Sequence, residues 1–261
     1  GNLEFRPDDN QRTLLPIRPI VFGGDDTTFV CDGRIGVALA VEYLRAFEHE
    51  AREDSQLKTL LAQLKILEGL TACAGVAIVK SHYPFARAYA LSEDLCSEAK
   101  KFRRRVGLQG GALDWYFSTS GLYADLGDMR AREYHVPSGS LTLRPVATSK
   151  EDKEKVHAHH WSVIEWLTKK FQSGDWSEKR NKAKLLRDAL RQGPQAVSRF
   201  REVYVGRDKY GTEEDLPPFY GFENGWCEGL CGYFDALELM DIHISLQSQD
   251  QKSTGQGDSE S

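Results

Sequence analysis

Apolar and polar residues alternate in short groups near the start of the chain, and the spacing then becomes helical. Residues 14–32 contain two short, mainly apolar runs, at 17–22 and 29–31, with Gly23-Gly24 at the bend between them and Asp25-Asp26 directly after it. β-Branched and aromatic residues favour strands, and glycine supplies the positive φ that a tight turn requires. This pattern predicts a β-hairpin whose bend lies at the two glycines.

Helices and strands are predicted to alternate after the hairpin. Residues 35–51 carry apolar residues at helical spacing, and residues 52–68 continue with helical composition. A run of small and β-branched residues at 71–79 predicts a strand. Residues 85–105 predict a helix that ends in a basic cluster, and residues 112–120 predict another strand. The first half of the chain is therefore predicted to be α+β.

The second half has a different pattern. Residues 121–148 are rich in turn residues, with a short strand predicted in 141–146, and helical signals dominate from Ser149, which is a plausible N-cap. An apolar stripe predicts a helix that reaches Phe171, and two more helices are predicted near 177–191 and 194–205. The changes in pattern divide the chain into a polar lead-in (1–13), a first unit (14–120), a loop-rich and helical unit (121–246) and a polar tail predicted to be disordered (247–261).

Composition narrows the class of protein. The chain has 261 residues, of which 40% are hydrophobic and 28% charged, values typical of a globular protein with a proper core. A net charge of −5 does not predict a broad nucleic-acid surface. No apolar run is as long as a membrane span, no signal peptide opens the chain, and the 5 cysteines do not form a disulfide framework. We therefore expect a cytoplasmic protein without membrane contact.

The hairpin turn carries the main candidate chemistry. Asp25 and Asp26 place two carboxylates side by side at a rigid bend, and such oxygen ligands suit Mg²⁺ when the ion must also hold substrate phosphates. The missing side chains at Gly23 and Gly24 would allow a nucleoside triphosphate to approach the backbone. Glycine and aspartate are also ordinary turn residues, so a purely structural role is the alternative.

Two other sets of residues suggest a metal site less strongly. Cys227 and Cys231 form a C-x₃-C pair, with His243 further on, but zinc sites usually bring a second clear pair. His157, His159 and His160 are placed on one predicted helix, without the carboxylate that would complete a known zinc motif. Packed or solvated side chains are the favoured interpretation of both sets.

The ordered set of motifs resembles a known family. The sequence FGGDD between strands, followed by a helix, LTACAGVAIVKSHYPF and a helix carrying SEAKK, is similar to the C-terminal palm of the Cas10/Cmr2 family, the large subunit of type III CRISPR effector complexes. ALDWYFSTS and CGYFDALELMD, at 231–241, resemble stretches downstream of that palm. The resemblance implies a ferredoxin-like (βαββαβ) palm followed by a small helical domain.

The resemblance also implies an activity and its residues. Cas10-like palms join ATP into cyclic oligoadenylates, so Asp25 and Asp26 would be catalytic ligands of Mg²⁺ or Mn²⁺, and Gly23 and Gly24 would border the nucleotide. Lys100 occupies the position that contacts triphosphate in the related GGDEF-type cyclases, although a solvated lysine near a helix C-terminus is an equal alternative. The implied partners are a second palm, CRISPR effector subunits and guide RNA.

One departure from the family affects the expected activity. A βαββαβ unit has a strand and a helix before the hairpin, and the residues that precede the GGDD sequence here are too few for both. We therefore expect an open slot beside the strand at 71–79, filled by a missing N-terminal segment or by a partner, and little activity without it. Two alternatives stay open: a non-catalytic nucleotide-binding scaffold and a diguanylate-type cyclase.

Overall fold

The first half of the chain folds into a hairpin and alternating helices and strands, as its pattern predicts. The structure is a computed structural model that describes residues 16–65, 69–118, 125–204 and 215–246. In chain order, the elements of the first half are β1 (Ile17–Gly23), β2 (Asp26–Cys31), α1 (Gly36–Glu53), α2 (Ser55–Gln63), β3 (Cys73–Val79), α3 (Phe85–Val106) and β4 (Ala112–Ser118).

The second half contains mainly helices and very short strands. Its elements are α4 (Leu126–Tyr134), β5 (His135–Val136), β6 (Gly139–Ser140), β7 (Val146–Ala147), α5 (Lys153–Val156), α6 (Trp161–Phe171), α7 (Gly174–Glu178), α8 (Arg180–Gln192), α9 (Pro194–Tyr204), β8 (Trp226–Cys227), β9 (Leu230–Cys231) and α10 (Phe234–Leu239). The mixed α+β class is therefore confirmed. None of the helices in the described ranges combines the length and the apolar composition that crossing a bilayer requires.

The strands form three separate sheets. β1 and β2 pair with each other in an antiparallel hairpin, and β5, β6, β9 and β8 form a small sheet in the second half. The third sheet has the order β3-β4-β7, in which β3 and β4 are parallel and α3 is the crossover between them. A crossover helix is the usual way to connect adjacent parallel strands.

Gly75 allows α3 to pack directly on β3. A Cβ atom at this position would lie 2.1 Å from the carbonyl oxygen of Ser92 and 2.4 Å from the amide nitrogen of Cys96. Both atoms belong to the backbone of α3 and cannot rotate away. The absence of a side chain at Gly75 therefore sets the short distance between the helix and the strand.

The hairpin and β3 share the same two covering helices. On β2, the neighbouring residues Thr27 and Thr28 point to opposite faces. The hydroxyl groups of Thr27 and Tyr43 of α1 lie 3.1 Å apart, while Thr28 acts on the hydroxyl of Tyr89 of α3. On β3, Gly75 faces α3, and the next residue, Val76, lies against Gly36 of α1.

β2 and β3 therefore lie in one layer between α1 and α3 without being hydrogen-bonded to each other. We call the space between them the inter-sheet gap. Within the described residues, β3 pairs with a strand on one edge only, and every residue of β3 is half-buried. This agrees with the predicted unpaired edge at this strand. The ferredoxin-like order of a whole palm sheet belongs to the proposal below.

A single main core connects the two halves of the chain. Leu44 of α1, Leu95 of α3, Leu167 of α6, Leu190 of α8 and Leu237 of α10 are buried in the same hydrophobic cluster. Burial of apolar surface stabilises a fold by about 25 cal/mol for each Å² removed from water. The helices of the second half therefore pack against the first half through apolar surface.

Charged residues of the second half form a buried network, and the Arg144 guanidinium of this network also donates to the carbonyl of Trp115 in β4. The side chain of Arg144 is fully buried, and its Nε lies 3.0 Å from Oδ1 of Asp235, which is 1% exposed. Nε donates its hydrogen bond to Oγ1 of Thr142, so the contact with Asp235 is a charge interaction. Burial acts to lower the pKa of Arg144, but the charges of Asp235 and Glu238 and the neighbouring Tyr134 raise it above its usual value. The guanidinium therefore stays charged and depends on carboxylates from α10.

Several expectations for the second half are wrong. Residues 126–134 form α4, because Asp125 caps a helix by accepting hydrogen bonds from the amides of Gly127 and Asp128. No strand spans 141–146; only its last residue belongs to β7. The Ser149 hydroxyl donates to Glu151 and does not cap a helix.

The predicted helices before and after the short strands are also subdivided. Asp54 ends α1 and caps α2, so the predicted extension over 52–68 is a separate helix, and its last residues, 66–68, lie outside the described chain. The predicted helix at 177–191 is divided at Lys179 into α7 and α8. The predicted lead-in at 1–13 and the predicted tail at 247–261 lie outside the described residues.

Candidate functional site

The carboxylates of the GGDD sequence lie at the turn between β1 and β2. Gly23 pairs with Asp26 across the hairpin, so Gly24 and Asp25 form its two-residue turn. Gly24 has φ +64°, a value that glycine adopts without the steric cost that other residues incur. The predicted position of Asp25 and Asp26 at the tip of a hairpin is confirmed. Both side chains are exposed, and within the described residues neither forms an ion pair.

The two glycines have different structural roles. A Cβ atom at either Gly23 or Gly24 would have no heavy atom within 4 Å, so the space over the turn is open. The turn requires glycine at Gly24 because of its positive φ. No such requirement applies to Gly23, because its backbone is that of an ordinary strand residue. The fold therefore leaves the identity of Gly23 unexplained.

A stripe of side chains on α3 lies beside Asp26. Tyr89, Glu93, Cys96 and Lys100 follow one another at intervals of three or four residues, so they lie on one side of the helix. We call these four residues the α3 stripe. The order of the stripe places a phenol, a carboxylate, a thiol and an ammonium group along a line beside the hairpin.

The electrostatics of Tyr89 and Cys96 show which charges lie near this stripe. The pKa of Tyr89 is raised, first by its hydrogen bond with Glu93 and then by the charges of Glu93 and Asp26. Burial raises the pKa of the Cys96 thiol; the charge of Lys100 lowers it, and those of Asp26 and Glu93 raise it. Asp26 of the hairpin and Lys100 of α3 therefore both act on the same thiol.

Lys100 itself is exposed on α3, one turn before the arginines of the helix C-terminus. Its charge acts on Cys73 of β3 as well as on Cys96, so its side chain lies toward the strand layer. The neighbouring Lys101 instead pairs with Glu98 at 2.7 Å, further round the helix. Of the two lysines in the SEAKK sequence, Lys100 is thus the one on the side of α3 that faces the strands.

Glu93 and Tyr89 are members of the α3 stripe that the sequence reasoning missed. Helical spacing could have indicated both residues, because Glu93 and Tyr89 precede Lys100 by seven and eleven residues on a helix that the pattern predicts. Glu93 is exposed, so its carboxylate is accessible. It places a further negative charge on the same side of α3 as Asp26.

The donor atoms present are suitable for a hard cation, although they do not form a complete cage. Asp25, Asp26 and Glu93 supply carboxylate oxygens, the ligand type that Mg²⁺ prefers. In the described ranges, no three histidine, cysteine or acidic residues converge closely enough to hold a metal ion. Mg²⁺ usually keeps several waters and binds through one or two carboxylates plus substrate phosphates. The arrangement therefore fits an ion held jointly with a triphosphate.

Two of the residues considered as possible metal ligands in the second half, His160 and Cys231, are buried. The prediction that one helix carries His157, His159 and His160 is wrong. The chain turns at His157, where φ is +42°. His160 is buried and caps α6 by accepting from the amide of Ser162, and burial lowers its pKa. Burial likewise raises the pKa of the Cys231 thiol to about 12. The core therefore holds His160 and Cys231, and among the described residues neither belongs to a group of three potential metal ligands.

Comparison with models of known protein families finds no match to this chain, and comparison with curated proteins finds none either.

Proposed function

We propose that this chain is the palm of a metal-dependent nucleotidyltransferase or cyclase of the Cas10/Cmr2 type. It would join ATP into cyclic oligoadenylates within an antiviral RNA-guided complex. The observation that supports the proposal is the exposed pair Asp25 and Asp26, at a glycine turn, beside a helix stripe that carries Lys100. An open turn, two oxygen ligands and a nearby cation are what binding of a metal–triphosphate complex requires.

Each residue has a distinct role in this proposal. Asp25 and Asp26 would hold Mg²⁺ or Mn²⁺, which when bound neutralises phosphate charge and orients the α-phosphate for displacement. Gly24 makes the turn, and Gly23 keeps the space above it open to the triphosphate. Lys100 would bind a phosphate oxygen from the side of α3. Phosphoryl transfer depends mainly on such positioning and charge neutralisation, so no covalent intermediate with the protein is needed.

The inter-sheet gap is part of the same proposal. Among the described residues, β2 and β3 each pair with a strand on one edge only, and unpaired edges favour addition of a strand. We propose that a preceding segment of the protein or a partner, such as a second palm, supplies that strand. Without that strand the protein should make little or no cyclic oligoadenylate from ATP.

Calorimetry with ATP and Mg²⁺ tests the site directly. The double variant Asp25→Asn/Asp26→Asn should lose Mg²⁺-dependent ATP binding by at least about 10-fold, because two ligands are removed while the turn is kept. The matched control, Glu50→Gln/Glu53→Gln, neutralises two exposed carboxylates in the last turn of α1 and should bind as the wild type does. Equal ATP affinity in wild type and the Asp25/Asp26 variant would place the site elsewhere.

The variant Gly23→Ala tests whether the turn binds a nucleotide or has only a structural role. Because a Cβ there has no neighbour within 4 Å, the variant should fold with unchanged stability. If a triphosphate approaches the backbone at this position, ATP binding should weaken. Unchanged stability together with unchanged binding would contradict the role given to Gly23.

A non-catalytic scaffold is the second candidate function. It would bind nucleotide at the same turn without turnover. Incubation with ATP and Mg²⁺ or Mn²⁺, followed by mass spectrometry of the products, distinguishes the two once the proposed additional strand is supplied. Binding without any product would support the scaffold, and a parallel incubation with GTP tests the diguanylate-type alternative.

A further inference from the structure

The β1–β2 hairpin has two faces, which carry different side chains. On β2, Thr27 lies toward α1 and Thr28 toward α3, so alternate residues of the strand divide between the two faces. Asp26 and Val30 therefore share the face of Thr28. Val21 of β1 lies opposite Thr28, and residues directly opposite each other in an antiparallel pair point to the same side. We call the side that carries these four residues the α3 face of the hairpin.

The helix beside this face carries a pair of aromatic rings. Phe85, the first residue of α3, precedes Tyr89 by one turn, so it extends the α3 stripe toward the N-terminus of the helix. The centres of the two rings are 6.2 Å apart, and their planes make an angle of 35°. The aromatic pair therefore lies on the same side of α3 as Lys100, at the opposite end of the helix.

The hairpin and α3 run in opposite directions with nearly equal steps. Thr28 acts on Tyr89, whereas Asp26 acts both on Tyr89 and on Cys96, which lies further along the helix. β2 therefore leaves the turn toward the N-terminus of α3. Two residues of a strand advance about 6.6 Å and four residues of a helix about 6 Å. Val30, two residues after Thr28, thus lies at the level of Phe85, four residues before Tyr89.

The end of this face that is remote from the turn is apolar and exposed. Val21 is 40% exposed, Val30 45% and Phe85 51%. Single exposed apolar residues need no explanation, but a contiguous group bordered by polar residues is typical of a binding surface. Asp26 borders this group on the side of the turn. Along α3 the exposed chemistry thus changes from charged groups beside the turn to apolar and aromatic groups at Phe85.

We infer that the α3 face binds the base of the nucleotide whose triphosphate lies at the GGDD turn, with the base stacked on Phe85. This inference rests on the proposed function and adds the direction in which the nucleotide lies. The eight residues from Phe85 to Glu93 span about 12 Å along the helix, a length comparable with that of an extended nucleotide. An apolar peptide would cover Val21, Val30 and Phe85 but would leave the adjoining charged groups without a function.

The chemistry of the face also limits which bases it favours. Stacking on an aromatic ring accepts every base, because every base has a π-face. A purine offers a larger stacking surface than a pyrimidine does. The α3 face should therefore favour purine nucleotides over pyrimidine nucleotides.

Calorimetry with Mg²⁺ and either ATP or inorganic tripolyphosphate tests the inference on the full chain. Phe85→Leu should weaken ATP binding by about 5-fold to 100-fold, because stacking is lost while an apolar side chain is kept. Tripolyphosphate has no base, so it should bind the wild type and Phe85→Leu equally. Phe85 is half-exposed at the first position of α3, so leucine should not disturb the core. Unchanged ATP affinity in Phe85→Leu would overturn the inference.

The matched control is Phe22→Leu, which removes an aromatic ring from the other face of the hairpin. Phe22 lies opposite Thr27, so it points to the side of α1, and it is 81% exposed. It directly precedes Gly23 and is therefore close to the turn. ATP affinity should stay at the wild-type value in this variant. Equal losses in Phe22→Leu and Phe85→Leu would show that binding does not depend on the α3 face, and would overturn the inference.

A comparison of ligands separates this inference from the proposed function. UTP should bind the wild type more weakly than ATP, and the difference should shrink in Phe85→Leu, because it arises from stacking. Equal affinities of ATP, UTP and tripolyphosphate for the wild type would overturn the inference, since the base would then contribute nothing. That result would leave the proposed function standing if Asp25→Asn/Asp26→Asn still lost the binding of all three. No Mg²⁺-dependent binding of any of the three to the wild type would refute both.

Discussion

The buried pair Arg144–Asp235 offers the sharpest test of what stabilises the second half of the chain. In Asp235→Asn, the side-chain volume and an acceptor oxygen for the amide of Leu143 are kept, while the charge that faces the guanidinium is lost. Removing one partner of a buried pair costs about 3 to 5 kcal/mol, because the other charge remains buried. Glu238 still lies 3.5 Å from Nη2 of Arg144, so we expect the lower end, about 3 kcal/mol.

Thermal unfolding followed by circular dichroism measures the effect. For a chain of this size, about 3 kcal/mol corresponds to a decrease in Tm of about 6 to 12 °C. The matched control is Glu98→Gln, which removes the partner of Lys101 from an exposed pair whose side chains are 39% and 67% exposed. Such pairs contribute about 0 to 1 kcal/mol, so the control should shift Tm by less than about 4 °C. Equal shifts in the two variants would refute the argument that burial makes the Arg144 pair essential.

Two further predictions concern packing and pH. Gly75→Ala should destabilise the protein by about 1 to 3 kcal/mol in urea unfolding, because the new Cβ would meet the backbone of α3. Gly23→Ala, the control, should leave the stability unchanged. Equal unfolding midpoints in the two variants would contradict the close packing of α3 on β3. The pKa of His243 is lowered by burial to about 4 in the folded protein, against 6.5 when exposed. The unfolded state therefore binds more protons between these values, and the free energy of unfolding should fall by about 2 kcal/mol from about pH 7 to about pH 5 through this residue. His243→Gln should lose that share of the pH dependence, and an unchanged slope would show that His243 is not the group responsible.

The hairpin and the β3–α3–β4 unit could be predicted from the sequence because their signals are local. The glycines and aspartates at 23–26 fix the turn, and the elements that follow begin and end within a few residues of their predicted bounds. The helix α4 was missed because residues 121–148 contain many turn residues, although Asp125 followed by buried Leu126 and Met129 was a usable capping signal.

The rest of the fold depends on contacts between residues that are distant in sequence. The amide of Leu143 donates to Asp235, which lies 92 residues further along the chain, and no local pattern indicates that pairing. The same holds for the candidate site. Asp25, Asp26 and Lys100 could be singled out by motif, but only the structure brings Glu93 and Tyr89 beside the hairpin.

The contacts of buried Arg144 with Asp235 and Glu238 have a consequence for folding during synthesis. The guanidinium follows β4 in sequence, yet the carboxylates that compensate its charge belong to the last described helix, α10. At a synthesis rate of about 5 to 20 residues per second, the ribosome reaches Asp235 roughly 5 to 20 s after Arg144. During that interval the guanidinium of Arg144 has no carboxylate from α10 beside it and must stay hydrated. The packing around β4 and β7 therefore cannot be completed. The segment around Arg144 can therefore complete its packing only after α10 has been synthesised, and folding during translation should be completed only after α10 has been released.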